Sequence, residues 1–163
     1  MNITIREYTP HDIPKMQTIW NEIVEAGNAF PQTELLSPKA ATELFADQSF
    51  TGVAEHQESG EIVGLYILHP NNIGRCGHIS NASYAVKTAV RGQHIGEQLV
   101  RHSIVRGQEL GFRLLQFNAV VKTNHGAIHL YKKLGFQQLG VIPGGFYMKD
   151  GTYEDIIPFY RTL

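Results

Sequence analysis

Two stretches of the chain carry residue types whose spacing could do chemistry. The first runs from Val86 to Gly96 and reads Val-Lys-Thr-Ala-Val-Arg-Gly-Gln-His-Ile-Gly. A β-type run, Ile79 to Val86, enters a turn that holds Arg91 and Gly92, and a helical pattern begins near His94. A strand that passes into a helix through a glycine-bearing turn leaves backbone N–H groups free at the helix start. Those groups and the helix dipole favour a phosphate. Arg91 adds a positive charge at the same place. The turn is therefore a candidate pyrophosphate site, and the alternative is an ordinary βα turn in which glycine only relieves sterics.

The second stretch is the strand that feeds the turn, Gly77 to Val86. It is polar for a central strand, with Ser80, Asn81 and Ser83 in mid-run. Polar groups inside a sheet need partners, so a polar-lined strand that ends at a phosphate turn suits a cleft better than a closed core. His78, at its start, could take up a proton near neutrality. Glu34, in an early loop, could do so through water. Asn81 and Asn118 cannot be bases, but each can orient a substrate or accept its N–H; the alternative for both is satisfaction of buried sheet polarity. Other chemistries fit poorly. His125 and His129 stand four apart on one helix face, but no nearby carboxylate or cysteine completes a ligand set, so no metal site is expected. No Gly-Lys-Ser/Thr follows a glycine loop, which leaves a phosphotransferase without its usual ligands. Cys76 is the only cysteine, and it sits in a glycine turn with no reliable base beside it.

The elements that must position these residues follow from periodicity. Ile3 to Tyr8 alternates as a strand. Thr9, Pro10 and Asp12 make a helix start for a stripe of Ile13, Met16, Trp20 and Ile23, with Gly27 as its stop. Asn28 to Ser37 reads as a loop, and Ser37 caps a short helix from Pro38 to about Ala46. Phe50 to Gln57 and Glu61 to Leu68 flank the turn Glu58-Ser59-Gly60 and predict an antiparallel hairpin. Asn71 to Gly77 is a second turn. A long helix, His94 to Gly111, separates the polar strand from an apolar strand, Leu114 to Val121, so these two strands should be parallel. Asn124 caps a helix from Ala127 to Leu134 that stops at Gly135. Phe136 to Ile142 reads as a strand broken by Pro143-Gly144-Gly145. Tyr153 to Leu163 reads as a closing strand in which Pro158 suggests an edge or a bulge.

A length of 163 residues, 42% hydrophobic and 18% charged, predicts one globular domain over residues 1–163 with a real core. The formal net charge of −1 gives no global field toward nucleic acid. No apolar run is long enough to span a bilayer and no signal pattern is visible, so neither a membrane nor a nucleic-acid partner is expected. A single cysteine permits no intramolecular disulfide, which fits a cytoplasmic protein.

Three segments line up in order: Arg91-Gly92-Gln93-His94-Ile95-Gly96, then Asn124-His125-Gly126-Ala127-Ile128-His129-Leu130-Tyr131, then Leu134-Gly135-Phe136. Together they resemble the GNAT N-acetyltransferase superfamily, with its Arg-x-x-Gly-x-Gly/Ala turn, its Asn-x-x-Ala followed by Tyr, and its Leu-Gly-Phe. The early Phe30-Pro31 and the Phe50 to Glu55 segment look similar to the small-amine and amino-acid (phosphinothricin-type) branch. The resemblance implies an α/β (α+β) fold: a mixed, mostly antiparallel central sheet with a splayed parallel strand pair and helices on both faces. It implies acetyl-CoA as acetyl donor, with no metal. The pantetheine arm would bond main-chain groups around Ala85 and Val86, and Asn124 at the head of the helix carrying Ala127. Gln93, His94, Ile95 and Gly96 would supply the pyrophosphate amides beside Arg91 and Gly92. Tyr131 would be the acid for the leaving thiolate, whereas its spacing from Ala127 alone suggests core packing. Asn81 and Asn118 would line the fork where an amine reaches the thioester. The acceptor implied is a small-molecule amine such as an amino acid or its analogue; a protein N-terminus, or a non-catalytic acyl-CoA binding or sensing role, is the alternative. Relatives often form a homodimer, for which the closing strand is a candidate surface. The sequence departs from the pattern at His94, where the family usually has its middle glycine, and a side chain there restricts the backbone.

Overall fold

A computed structural model describes residues Met1–Leu163. Eight strands form one sheet: β1 (Ile3–Glu7), β2 (Phe50–His56), β3 (Ile62–Pro70), β4 (Ile79–Val86), β5 (Leu114–Val121), β6 (Gln137–Gln138), β7 (Ile142–Tyr147) and β8 (Tyr153–Thr162). Their order is β1-β2-β3-β4-β5-β8-β6, with β7 also on β8. Every pairing is antiparallel except β4–β5, which is parallel. The helix between β4 and β5 forces that direction, because a crossover returns the chain to the same end of the sheet.

Four helices cover both faces. α1 (Ile13–Ala26) and α2 (Pro38–Ala46) lie on one side, where Met16, Trp20 and Phe45 pack on Val53 and Leu65. α3 (Ile95–Glu109) and α4 (His125–Lys133) lie on the other, where Leu99 and Val100 pack on Tyr66, Leu115 and Phe159. The helix starts carry the expected chemistry. The Thr9 N–H donates to the Asp12 carboxylate (2.8 Å), although Pro10–Asp12 form a short 3-10 turn before α1 begins at Ile13. Gly27 closes α1 at φ +68°, a conformation that costs glycine little. Ser37 Oγ accepts the Ala40 N–H, and Asn124 Oδ1 accepts the Ala127 N–H. The Arg6 guanidinium grips the buried Asp12 with two hydrogen bonds and holds its carboxyl below the usual range.

Two sequence expectations need correction at the C-terminal end. The strand read over Phe136 to Ile142 is only the two residues of β6, and Pro143-Gly144-Gly145 does not break a strand but lies inside β7. The register of β7 on β8 shifts between Ile142 and Phe146, so these residues form an irregular bulge. Gly145 is needed there: a Cβ would stand 2.5 Å from Ile156 Cγ1. Pro158 is not on an edge, since β8 is paired on both sides. It faces a bulge in β5 between Phe117 and Val120. On its other side the partner strand changes from β6 to β7, and the missing proline N–H falls at that seam while its carbonyl accepts the Leu139 N–H (2.9 Å).

Three tyrosines on or near the α3 face, Tyr66, Tyr84 and Tyr131, have pKa values raised above 10, in each case chiefly by burial. In the unfolded chain a tyrosine ionises near pH 10. Above that pH the folded state therefore holds more protons than the unfolded state, and stability falls as pH rises. Urea unfolding between pH 9 and 11.5 should show a loss approaching about 1.4 kcal/mol per pH unit for each tyrosine once pH exceeds about 10. Replacing Tyr66 by Phe should remove about one third of that slope.

Candidate active site

The parallel pair is a fork. β4 and β5 are paired only at Ile79–Leu114 and Ser80–Leu115. Two side chains extend the clasp: Ser80 Oγ donates to the Leu114 carbonyl (2.7 Å) and Asn81 Nδ2 to the Gln116 carbonyl (2.8 Å). Beyond them the strands part, and the bulge that bends β5 lies at that level. The main chain of β4 shows what the fork offers. The Lys87 N–H donates to the Val63 carbonyl and the Asn71 N–H to the Ile79 carbonyl, so odd-numbered residues of β4 turn their main-chain groups to β3. The even-numbered ones, Ala82, Tyr84 and Val86, turn theirs into the open gap. Backbone groups left without a strand partner in a cleft are a ready edge for an extended ligand. This corrects the expectation for Ala85: its main chain faces β3, and its side chain is buried under α1.

Two cavities occupy the fork. The larger, about 650 Å³, runs from Tyr84 and Val86 past the turn Arg91 to Gly96 and along α4 to Asn124, Ala127 and Tyr131. The smaller, about 180 Å³, is lined by Phe30 and Pro31 of the α1–α2 loop, Asn81 of β4, and Phe117 and Asn118 of β5. They share the walls Ala29, Tyr84, Asn124, Ala127 and Tyr131. Of the residues expected to bind a cofactor, Val86, Arg91, Gly92, His94, Ile95, Gly96, Asn124, Ala127 and Tyr131 line the large cavity; Gln93 and Ala85 do not. Of those expected to be catalytic, Tyr131, Asn81 and Asn118 line the small one. His78 is exposed at the closed end of the fork and Glu34 is exposed in its loop; neither lines either cavity.

The turn at the head of α3 has the shape of an anion site. His94 is the N-cap at φ +60°, the only residue other than glycine with positive φ, and it follows Gly92 at φ +82°. This backbone is what a middle glycine would adopt, and it explains why α3 begins at Ile95 rather than His94. No side chain caps the helix, which leaves its first N–H groups free toward the cavity. Glu97 in the first turn is an anion at the same place. Lys133 (3.0 Å) and Arg101 (2.8 Å) compensate it and lower its carboxyl pKa. Lys133 reaches the cavity from α4.

A left-handed conformation costs an L-residue about 1–2 kcal/mol relative to glycine. The His94 side chain is 81% exposed and its nearest charge is Glu97 at 3.8 Å, so it has little packing to lose. His94→Gly should stabilise the fold by about 1 kcal/mol, a rise in melting midpoint of about 2–4 °C. His94→Ala, which keeps the backbone penalty, should leave the midpoint unchanged.

Tyr131 projects from α4 between Phe117 (centroids 4.4 Å apart), Phe136 (5.6 Å) and Phe159 (5.9 Å). The ring is packed, as its spacing from Ala127 suggests, and Tyr131 lines both cavities. Its hydroxyl has no partner in the chain, and burial alone raises its pKa. Tyr84 differs, because its hydroxyl is paired to Ser103 Oγ (2.7 Å). Asn118 is held from both ends: Gln116 Nε2 donates to its Oδ1 (3.0 Å) and its own Nδ2 donates to Asn71 Oδ1 (2.7 Å). Asn81 keeps its Oδ1 unpaired, on the strand that lines the small cavity. Asn81 thus satisfies a main-chain carbonyl of the sheet, whereas the exposed Asn118 bonds only side chains; both line the small cavity. Sequence reasoning missed Tyr84, Phe117 and Lys133. Strand alternation from Ala82 could have placed Tyr84; Lys133 is brought in only by the docking of α4 on α3. No group of three or more His, Cys, Asp or Glu residues converges anywhere in the chain.

A helix-headed turn beside a splayed parallel pair, with two cavities meeting in the fork, defines a class that comparison with known proteins bears out. The Acetyltransferase (GNAT) family profile matches residues 15–136, and the chain belongs to that family. Among solved structures, a GCN5-related N-acetyltransferase from Kribbella flavida superposes with a TM-score of 0.91 at 32% identity, covering 99% of this chain and 98% of that one. A phosphinothricin acetyltransferase (Pat) from Sinorhizobium meliloti, solved in complex with AcCoA, shares the fold with a TM-score of 0.92 at 23% identity, covering 100% of this chain and 89% of the other. Over a shorter stretch the chain is 33% identical to N-acetyltransferase aca1 of Schizosaccharomyces pombe (strain 972 / ATCC 24843), across 50% of its own length and 39% of aca1. The chain thus spans well under half the length of that relative. No helix is long and apolar enough to cross a membrane.

Proposed function

We propose that the chain transfers an acetyl group from acetyl-CoA to the amine of a small molecule, by direct attack in a ternary complex. The observation that carries this reading is the pair of cavities with a common wall: a long one that ends at a helix-headed turn, and a small one on the acceptor side, joined at Tyr131. The donor's pyrophosphate would sit on the free amides at the head of α3, beside Arg91, with Gln93 contributing only through the turn's backbone. Its pantetheine arm would extend along the gap-facing main chain of Tyr84 and Val86. Asn124 spends its Oδ1 on capping α4 and has its Nδ2 left for the arm. A gap-facing N–H of β4 would meet the developing oxyanion. Asn81 and Asn118 would orient the amine, and Tyr131, kept protonated by burial, would give its proton to the leaving thiolate. Holding amine and thioester together in the fork supplies the proximity term. His78 has no part in this scheme.

Amino acids and their analogues are the first acceptors to try, on the likeness to phosphinothricin acetyltransferases. Exposed Leu139, Ile142, Tyr147 and Tyr153 along β7 and β8 and the segment before them are where a homodimer would form, and the unpaired, exposed Cys76 suits a cytoplasmic setting. The test is a thiol-release assay with acetyl-CoA over amino acids, their amides, aryl and alkyl amines and polyamines. Release with at least one amine is expected. Tight coenzyme A binding with no release on any amine would make the chain a binding module instead.

A further inference from the structure

The small cavity has an unusual wall. None of the fifteen residues that line it is Asp, Glu, Lys, Arg or His. Its polar side chains are amides and hydroxyls: Asn81, Ser83, Asn118, Asn124 and the two tyrosines. We infer that the acceptor amine enters as the uncharged free base and that the substrate carries no charge within a few atoms of its nitrogen, as in an aryl amine, a hydrazine or an amino-acid amide or ester. This rests on the acetyl-transfer reading above and narrows its substrate class: of the acceptors named there it keeps the uncharged analogues, such as amides and esters, and sets aside the free α-amino acids, which would bring a carboxylate into the same uncharged space.

The physical reason is desolvation. An ammonium or carboxylate moved from water into a cavity with no counter-charge loses hydration that amides only partly replace, so binding selects the neutral form. Aromatic faces could in principle hold a cation, but the rings here are already engaged. Phe117, Tyr131 and Phe136 pack in a triangle (4.4, 4.8 and 5.6 Å between centroids), Phe30 lies against Trp20 (4.5 Å), and Tyr84 stands edge-on to Phe117 (5.8 Å). The two groups that could have served as a base, His78 and Glu34, lie outside the cavity. The proton of an alkylammonium is therefore lost to water before binding. Attack of the neutral nitrogen on the thioester carbonyl then forms the C–N bond and breaks the C–S bond; the thiolate takes a proton from Tyr131, the excess proton on nitrogen passes to solvent, and the tyrosinate takes one proton back from solvent, so that no net proton is gained or lost beyond the neutral amine and thioester giving amide and thiol. The amide Oδ1 of Asn81, unpaired within the chain, is the acceptor for the amine's N–H.

The experiment has a binding arm and a kinetic arm. With coenzyme A present at pH 7, aniline, benzylamine and phenylalanine are titrated calorimetrically against the whole protein. Aniline should bind at least tenfold tighter than benzylammonium or zwitterionic phenylalanine. In turnover, kcat/KM for benzylamine should rise about tenfold per pH unit up to the pKa of the amine itself, and for aniline should stay flat over the same range. Phenylalanine binding as tightly as aniline, no binding of aniline, or a benzylamine profile that bends at one fixed pH below its own pKa would overturn the inference. Aniline binding in the predicted order without thiol release would leave it standing and remove the catalytic reading instead. A gain-of-charge variant gives a second check. Ser83 shares the Asn81 face of β4, and Ser83→Asp should invert the order so that benzylammonium binds tighter than aniline; an unchanged order would count against the neutral-cavity account.

Discussion

Tyr131→Phe is expected to lower kcat by about 100-fold while leaving the acetyl-CoA KM and the folding midpoint almost unchanged. General-acid assistance by a positioned side chain is worth about 10²–10⁴ in rate, and this hydroxyl is the only ionisable donor in the wall common to both cavities that is free of any partner in the chain; the Asn124 Nδ2 is free as well, but an amide cannot give up a proton. Tyr84 shares the wall, but its hydroxyl is already bound to Ser103, which in turn donates to the Val100 carbonyl. The substitution removes one oxygen that makes no hydrogen bond within the chain. The ring contacts to Phe117, Phe136 and Phe159 are retained, so stability should move by less than about 0.5 kcal/mol. Burial raises the Tyr131 pKa, which fixes the sign of the pH effect: the acid remains protonated from neutral pH to well above pH 10, so no alkaline fall in kcat should belong to it. A phenylalanine variant with parental kcat on its best amine would show that the thiolate leaves without this proton.

Much of the fold could be read from the chain because the signals were local and agreed with one another. Thr9, Gly27, Ser37 and Asn124 each mark a helix boundary by their own backbone or side-chain chemistry, and each stands at or within a few residues of one. The parallel β4–β5 pair followed from the helix between them. The failures lie where long-range contacts decide. Glycine and proline at residues 143–145 signal a break in any isolated segment, but pairing with β8 keeps the strand and folds them into a bulge. For Pro158, expected at an edge or a bulge, the bulge is the setting found: it lies in β5 opposite the proline, and the neighbour on the other side changes from β6 to β7 there. The candidate site divides in the same way. The turn at Arg91 to Gly96 was legible from residue types alone, whereas the direction in which Ala85 and Val86 turn their main chains depends on register with β3. The small cavity exists only once the α1–α2 loop brings Phe30 across the fork.

The turn also permits a test that separates binding from folding. Gly96 lies in the first turn of α3 and lines the large cavity, and a Cβ added to it would meet nothing nearer than Val86 Cγ2 at 3.9 Å. A larger side chain would therefore strain no backbone but would project into the space beside the helix head. Glycine inside a helix is about 0.8–1 kcal/mol worse than alanine, and leucine ranks close to alanine, so Gly96→Leu should fold at least as stably as the parent. It should also raise the coenzyme A dissociation constant by at least about 100-fold, because an anion on helix-terminal amides needs direct approach to them. His94 supplies the contrast, since there the strain is in the backbone and the side chain is in solvent. His94→Gly changes stability through φ, and Gly96→Leu changes binding through occupied space. Calorimetric titration of both variants with coenzyme A, beside their melting curves, reads the two effects apart. If Gly96→Leu bound coenzyme A as the parent does, the pyrophosphate would have to lie elsewhere than at the head of α3, and the whole direction of the donor in the large cavity would be reversed.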